Sequence, residues 1–279
     1  MPHTISTPSQ SVIITHWVRD AAEQLAEVGI ASALLDAEII LAHTLRKSRT
    51  WLHAHSDEHI SERLLEIANA RIDLRLHRTP IAYIIGHKEF YSRIFKVTPA
   101  VLIPRPESEV LIDQLKALAP PTSHTLLDIG TGSGCLGITA KLELPWLDVT
   151  VSDISRHALT VAEQNARALS ATVTTVRSDL LMQLPGRYDI IVANLPYVDS
   201  SWKRDPETDY EPAQALFAED NGYAIIHRLI EQSPDHLTDH GLLILEADPV
   251  QHNRIISSAQ SVGLTHLDSV DYVCILQKQ

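Results

Sequence analysis

Residues 125–138, TLLDIGTGSGCLGI, decide the fold. TLLDI (125–129) is a short apolar strand, and Gly130, Gly132 and Gly134 form a turn that leads into a helix. Glycine there permits positive φ and close approach of the backbone to a ligand. Working outward, the alternation repeats. DVTVSD (148–153) reads as a second strand, and 156–169 as a helix with Ala158, Leu159, Ala162 and Ala166 on one face. VTTVR (173–177) and YDIIVA (188–193) are further strands. An irregular stretch precedes a helix at about 222–236, the strand LLILEA (242–247), a helix at about 249–261 and two strands within 264–277. Repeated β-α-β units with apolar strands imply an α/β domain whose mostly parallel sheet is covered on both faces.

The N-terminal part reads differently. Ile13, Trp17, Leu25 and Val28 share a helical face that stops at Gly29. A second helix follows Ser32 with Leu34, Leu35, Ile39, Leu41, Ala42 and Leu45, and Ser48 is placed to cap a short third helix carrying Trp51 and Leu52. Ile60, Leu64, Ile67, Ala68, Ile72 and Leu76 make a fourth stripe that ends before Pro80. The expected organisation is a small helical bundle over 1–80, a hairpin-like linker over 81–105, and the α/β domain over 106–279, opened by a helix at about 106–118.

Composition narrows the function. Among 279 residues, 44% are hydrophobic and 21% charged, which supports a packed core. No apolar run approaches the ~20 residues of a membrane helix. The opening MPHTISTPSQ does not read as a secretory signal, and two cysteines, Cys135 and Cys274, make no disulfide framework or four-cysteine zinc site, so a cytoplasmic protein is expected. The net charge is −12, and residues 121–279 carry ten Lys and Arg against 21 Asp and Glu. Such an acidic half disfavours stable nucleic-acid binding, which needs clustered cations. The 15 histidines show no metal-ligand arrangement, and no metal is required.

The glycine turn itself is D-x-G-x-G-x-G, from Asp128 through Gly130, Thr131, Gly132 and Ser133 to Gly134. It differs from the dinucleotide fingerprint G-x-G-x-x-G. The pattern resembles the S-adenosylmethionine loop of Rossmann-like methyltransferases, and an acidic neighbour suits a ligand carrying an ammonium and a sulfonium. Asp153 closes the second strand 19 residues after Gly134, the separation at which an acid accepts from both ribose hydroxyls. Asp179 and Leu180, after the third strand, lie where an adenine should sit.

The fourth strand ends in Asn194-Leu195-Pro196-Tyr197, on the same rim of the sheet as the glycine turn. An Asn-x-Pro-Tyr loop resembles that of methyltransferases acting on a planar, conjugated nitrogen, which is a poor nucleophile. The Asn194 side-chain oxygen and the Leu195 backbone carbonyl can accept its two N–H bonds, aim the lone pair and stabilise the growing positive charge. Tyr197 offers an aromatic face. Asn194 also borders the expected cofactor position.

These motifs, together with the segment IAYIIGHKEFYSRIFKVTPAVLIPRPESE, the block YEPAQAL (210–216) and the Glu246-x-x-x-x-Gln251 spacing, resemble the HemK/PrmC family. Its members are protein-glutamine methyltransferases of peptide chain release factors. The resemblance covers about residues 20–255 and implies a Rossmann-like S-adenosylmethionine-dependent domain with a small N-terminal helical bundle that docks the substrate. It further implies that the Gln of a Gly-Gly-Gln loop enters the pocket and is methylated on its side-chain amide, with S-adenosyl-L-homocysteine as the other product. Phe90 and Arg105 of the matching segment are expected at the substrate, and the chain is expected to act as a monomer. Leu195 departs from the family's usual Pro; a backbone carbonyl serves equally from Leu, with less rigidity.

Three other readings fit parts of the pattern. An adenine amino-methyltransferase on RNA or DNA needs the same Asn loop, but the charge and the order of the two domains oppose it. A ribosomal-protein glutamine methyltransferase shares the chemistry, whereas Arg105-Pro106-Glu107 favours the release-factor branch. A binding protein without turnover is motivated by Leu195 alone.

Overall fold

The computed structural model describes residues 12–122 and 124–279, so the opening segment MPHTISTPSQ lies outside the described residues. The chain divides into two compact units, residues 1–85 and 86–279.

The first unit is helical: α1 (Ile14–Glu27), α2 (Ala33–Leu45), α3 (Arg49–Ala54), α4 (Glu62–Leu76) and α5 (Ile81–Ile85). Gly29 takes positive φ where α1 ends, and the Ser48 hydroxyl caps α3 by accepting from the Trp51 amide. Ile14, Trp17, Ala21 and Leu25 of α1 pack against Ala37, Ile40 and Leu41 of α2 and Ala68 and Ile72 of α4. The expected face of α2 is corrected: Leu34 and Leu35 are 58% and 41% exposed, and the buried face runs through Ala33, Ala37, Ile40 and Leu41. A helix that is apolar on most sides gives no unique stripe, and small Ala33 and Ala37 allow the closest approach. Inside this unit Arg75 donates to Asp36 at 2.7 Å, a buried pair.

The second unit starts with a hairpin, β1 (His87–Phe90) and β2 (Arg93–Lys96), paired antiparallel. The expected linker therefore divides: 81–85 is the last turn of helix in the first unit, and the hairpin belongs to the second. A short turn at Pro106–Ser108 precedes α6 (Glu109–Leu118). Then follow β3 (His124–Ile129), α7 (Cys135–Glu143), β4 (Leu147–Asp153), α8 (Arg156–Ala168), β5 (Thr174–Arg177), β6 (Tyr188–Asn194), α9 (Ala224–His236), β7 (Leu237–Glu246), α10 (His252–Ser261), β8 (Leu264–Val270) and β9 (Val273–Lys278). The seven-stranded sheet has the order β5-β4-β3-β6-β7-β9-β8. The first five strands are parallel, and β9 and β8 join antiparallel.

Strand alternation divides the core between the two faces. Leu127, Ile191, Ala193, Leu243 and Leu245 fill one side, and Leu126, Ile190, Val192, Leu242 and Ile244 the other. Both faces are apolar because helices cover both, so the central strands β3, β6 and β7 carry runs of hydrophobic residues. β7 begins earlier than expected, at Leu237, with a register shift opposite Tyr188 and Ile190. Among the described residues no helix is long and apolar enough to cross a membrane.

Candidate active site

The glycine turn sits between the end of β3 and α7. Thr131 N donates to the Ser152 carbonyl of β4, and Gly132 N donates to Asp153 Oδ2 at 3.0 Å, which fastens the turn to the next strand. Asp153 Oδ1 accepts from Ser155 N at 2.8 Å. Burial pushes the Asp153 carboxyl up, and these backbone donors act the other way. A side chain at Gly132 would enter open space, so the turn leaves room above itself.

That room is a cavity of about 290 Å³ at the carboxyl ends of the strands. Gly130, Thr131, Gly132, Ser133, Asp153, Asp179, Leu180, Asn194, Leu195 and Pro196 all line it. Eight of the ten residues expected at the cofactor thus border one space, together with Leu195 and Pro196. Among the described residues Ser133 Oγ is buried there without a hydrogen-bond partner, a polar atom that a ligand can satisfy. Asp179 accepts from Arg228 of α9 at 3.0 Å, so it meets a ligand as half of an ion pair. These groups suit the expected adenosyl cofactor: an acid, Asp153, where the ribose is expected, small backbone at the glycine turn, and an apolar wall at Leu180.

Three expectations need correction. Asp128 does not line the cavity; it is fully buried, and its Oδ2 accepts from the Thr131 hydroxyl at 2.5 Å and from Gly137 N at 2.9 Å. It braces the turn from beneath, and burial raises its carboxyl to about 6. Gly134 likewise stands behind the cavity, where a Cβ would lie 2.6 Å from Ile138 Cδ1 and 3.2 Å from Ala162 Cβ. Phe90 is 1% exposed and packs edge-on to Phe95 in the hydrophobic core, so it does not line the cavity.

A second cavity, about 280 Å³, adjoins the first. Leu102, Arg105, Asn194, Leu195 and Ala215 line both, and Tyr197, Trp202, Phe217 and Glu246 are among the other residues of the second. Asn194 is therefore a residue of the shared wall. Its Nδ2 donates to Ser108 Oγ at 3.0 Å, which turns its oxygen away from Ser108. Tyr197 donates from its hydroxyl to Glu246 Oε1 at 3.2 Å, and Gln251 Nε2 donates to the Tyr197 carbonyl at 3.0 Å. Burial pushes the Tyr197 hydroxyl well up, with Glu246 acting in the same direction. Leu195 is buried in the core, and its Cδ2 lies where a Cβ on Gly130 would fall, at 2.8 Å.

Arg105 is held rather than free. Glu211, buried in the YEPAQAL block, accepts from Arg105 at 2.5 Å and from Ile103 N at 3.0 Å. This fixes the chain leading to Ser108. Ser108, Glu211 and Arg228 are not marked as site residues by the sequence; Ser108 and Glu211 stand within 81–109 and 210–216, but their partners lie 86 and 108 positions away.

A Rossmann-like sheet with a ligand cavity at its strand ends and an Asn loop on the shared wall defines a methyltransferase. Residues 106–259 match the methyltransferase small domain family, and residues 16–86 the PrmC N-terminal domain family. The chain belongs to the release factor glutamine methyltransferase family. It is 40% identical to the release factor glutamine methyltransferase of Koribacter versatilis, covering 82% of this chain and 86% of the relative. With the Escherichia coli protein of the same name the identity is 34%, over 83% and 84%. A methyltransferase structure from Pyrococcus furiosus shares the fold, with a TM-score of 0.54 and 20% identity over 75% of this chain and 97% of that one.

Proposed function

We propose that this enzyme transfers a methyl group from S-adenosyl-L-methionine to the side-chain amide nitrogen of the glutamine in the Gly-Gly-Gln motif of peptide chain release factors. When bound, the cofactor supplies a methyl group made electrophilic by its sulfonium. In this reading Asp153 takes the ribose hydroxyls, Leu180 packs on the adenine, and Asp179 with Arg228 closes that end.

The observation that carries the proposal is the position of Asn194 on the wall common to both cavities. A carboxamide in the second cavity can give one N–H to Asn194 Oδ1 and the other to the Leu195 carbonyl. Its nitrogen lone pair, otherwise delocalised into the carbonyl, then points through the wall. The two oxygens also stabilise the positive charge that builds on nitrogen before it loses a proton. Leu195 suits this role because only its backbone is used, while its side chain anchors the loop in the core.

The helical first unit docks the release factor, and Arg105 and Tyr197 border the entering side chain. The protein works as a cytoplasmic monomer without stable nucleic-acid contact, which the acidic second half supports.

The test is mass spectrometry of a release factor after incubation with enzyme and cofactor. One methyl on the Gly-Gly-Gln glutamine is expected from the wild type. With Asn194→Ala the single-turnover rate should fall by about 10²–10³, the cost of one preorganised partner. An unmodified glutamine with cofactor-loaded wild type overturns the proposal.

A further inference from the structure

Behind Asn194 lies a chain of buried polar groups that the reaction as described does not use. Ser108 is 2% exposed, and Glu246 is 1% exposed. Asn194 and Glu246 are register partners on β6 and β7, so their side chains leave the same face of the sheet. Ser108 Oγ accepts from Asn194 Nδ2, and the Glu246 carboxyl accepts from Tyr197 on Oε1. Among the described residues Glu246 Oε2 is buried with no hydrogen-bond partner, while Ser108 and Asn194 both act to stabilise the carboxyl's charged form. Ser108 and Asn194 thus both act on the Glu246 carboxyl, and Ser108, which accepts from Asn194, has one hydroxyl proton to give.

We infer that Glu246, acting through Ser108, sets which end of the Asn194 carboxamide faces the two cavities. A carboxylate can only accept, and a serine hydroxyl has a single proton to give. Once that proton is committed to Glu246, Ser108 can only accept from Asn194. Asn194 must then offer it the NH₂ group and present oxygen to the cavities. A neutral partner at 246 removes the direction. The hydroxyl can turn round, donate to the amide oxygen, and leave Asn194 NH₂ facing the N–H bonds of a substrate amide, where two donors meet. Glu246 is a positioning residue here, and the inference rests on the methyl-transfer reading only for its kinetic consequence.

Other charges face the same carboxyl. Glu107 of the turn before α6 raises it, and Cys135 at the start of α7 is within its influence. Asp248 and Tyr272 border the same cavity, as do the cations Arg105, Lys203 and Arg204. Burial dominates, so the carboxyl ionises above the ordinary glutamate range. Because all these groups persist in Glu246→Gln, comparison of that variant with the wild type isolates Glu246.

The experiment uses the full chain without substrate. There are five asparagines, so selective ¹⁵N labelling resolves the Asn194 side-chain amide, identified by its loss in Asn194→Ala. In the wild type its shifts should follow pH through one transition. In Glu246→Gln and in Ser108→Ala they should be flat. Signals indifferent to pH in the wild type, or moving equally in Glu246→Gln, overturn the inference. Kinetically, each variant should lose about tenfold or more in kcat, with cofactor Kd unchanged within about twofold and the double variant no worse than the worse single one. Losses that multiply also overturn it. If Glu246→Gln fails to fold, Ser108→Ala carries both readouts. A wild type that leaves the release-factor glutamine unmethylated sinks the parent reading while the amide titration still decides this one.

Discussion

Asp153 shows what one residue's neighbourhood can reveal. A carboxylate at a strand end is commonly only a local cap, and Asp153 does accept from Ser155 N. It also accepts from Gly132 N across the turn and lines the larger cavity. A charged acceptor of this kind contributes roughly 1.5–3 kcal/mol to a bound ligand's hydrogen bond. Asp153→Ala should therefore weaken S-adenosyl-L-methionine at least about tenfold by calorimetry, and unchanged affinity would remove the residue from the site. Its position beside the turn was legible because strand, turn and acid lie within one β-α-β unit. Ser108 and Glu211 were not, since each works on a partner brought near only by the whole fold. Phe90 failed for the opposite reason: an aromatic in a distinctive segment looks like a ligand contact, but in a short hairpin it is the core-facing anchor.

At the scale of elements, the contact between α7 and the sheet sets the shape of the turn. Gly137 has no Cβ because one would lie 2.6 Å from Val151 Cγ1 and 3.0 Å from Asp128 Oδ2. The helix therefore rides close enough for Gly137 N to reach the Asp128 carboxyl. Gly137→Ala should push α7 outward, lowering stability by about 1–3 kcal/mol in denaturant unfolding and weakening cofactor binding as the turn shifts. A change of stability with unaltered cofactor affinity would separate the helix packing from the turn. The central parallel strands were legible because they are mostly apolar, and helices such as α8 because one face is. α2 was misread because leucines stand on its open side as well, and only the packing partner tells which apolar face is used. The early start of β7 was hidden by its polar first turn, Thr238 to His240, which the register shift accommodates.

At the scale of the whole molecule, each unit has its own buried cluster, and the change from helical stripes to alternating strands and helices made the two parts legible in the sequence. The position of the boundary did not follow, because Pro80 begins another turn of helix instead of ending the bundle. One buried charge in the larger unit links the site to the stability of the fold. The native carboxyl of Asp128 holds its proton up to about 6, against an ordinary value of 3.8. Between those values the native state binds more protons than the unfolded chain, so stability falls as pH rises. The contribution is fully present below the unfolded value and is lost as pH climbs through the native one. On the order of 3 kcal/mol is at stake for a shift of this size. Asp128→Asn keeps an acceptor for Thr131 and Gly137 but cannot ionise. Measured by denaturant unfolding, the wild type's stability relative to Asp128→Asn should drop between about pH 4 and pH 7 by that order. A difference that stays constant across this range would mean that Asp128 ionises normally beneath the turn. If the drop is found, the turn is braced by a charge that weakens the fold, held because an ionised oxygen accepts from Thr131 and Gly137 more strongly than a neutral one.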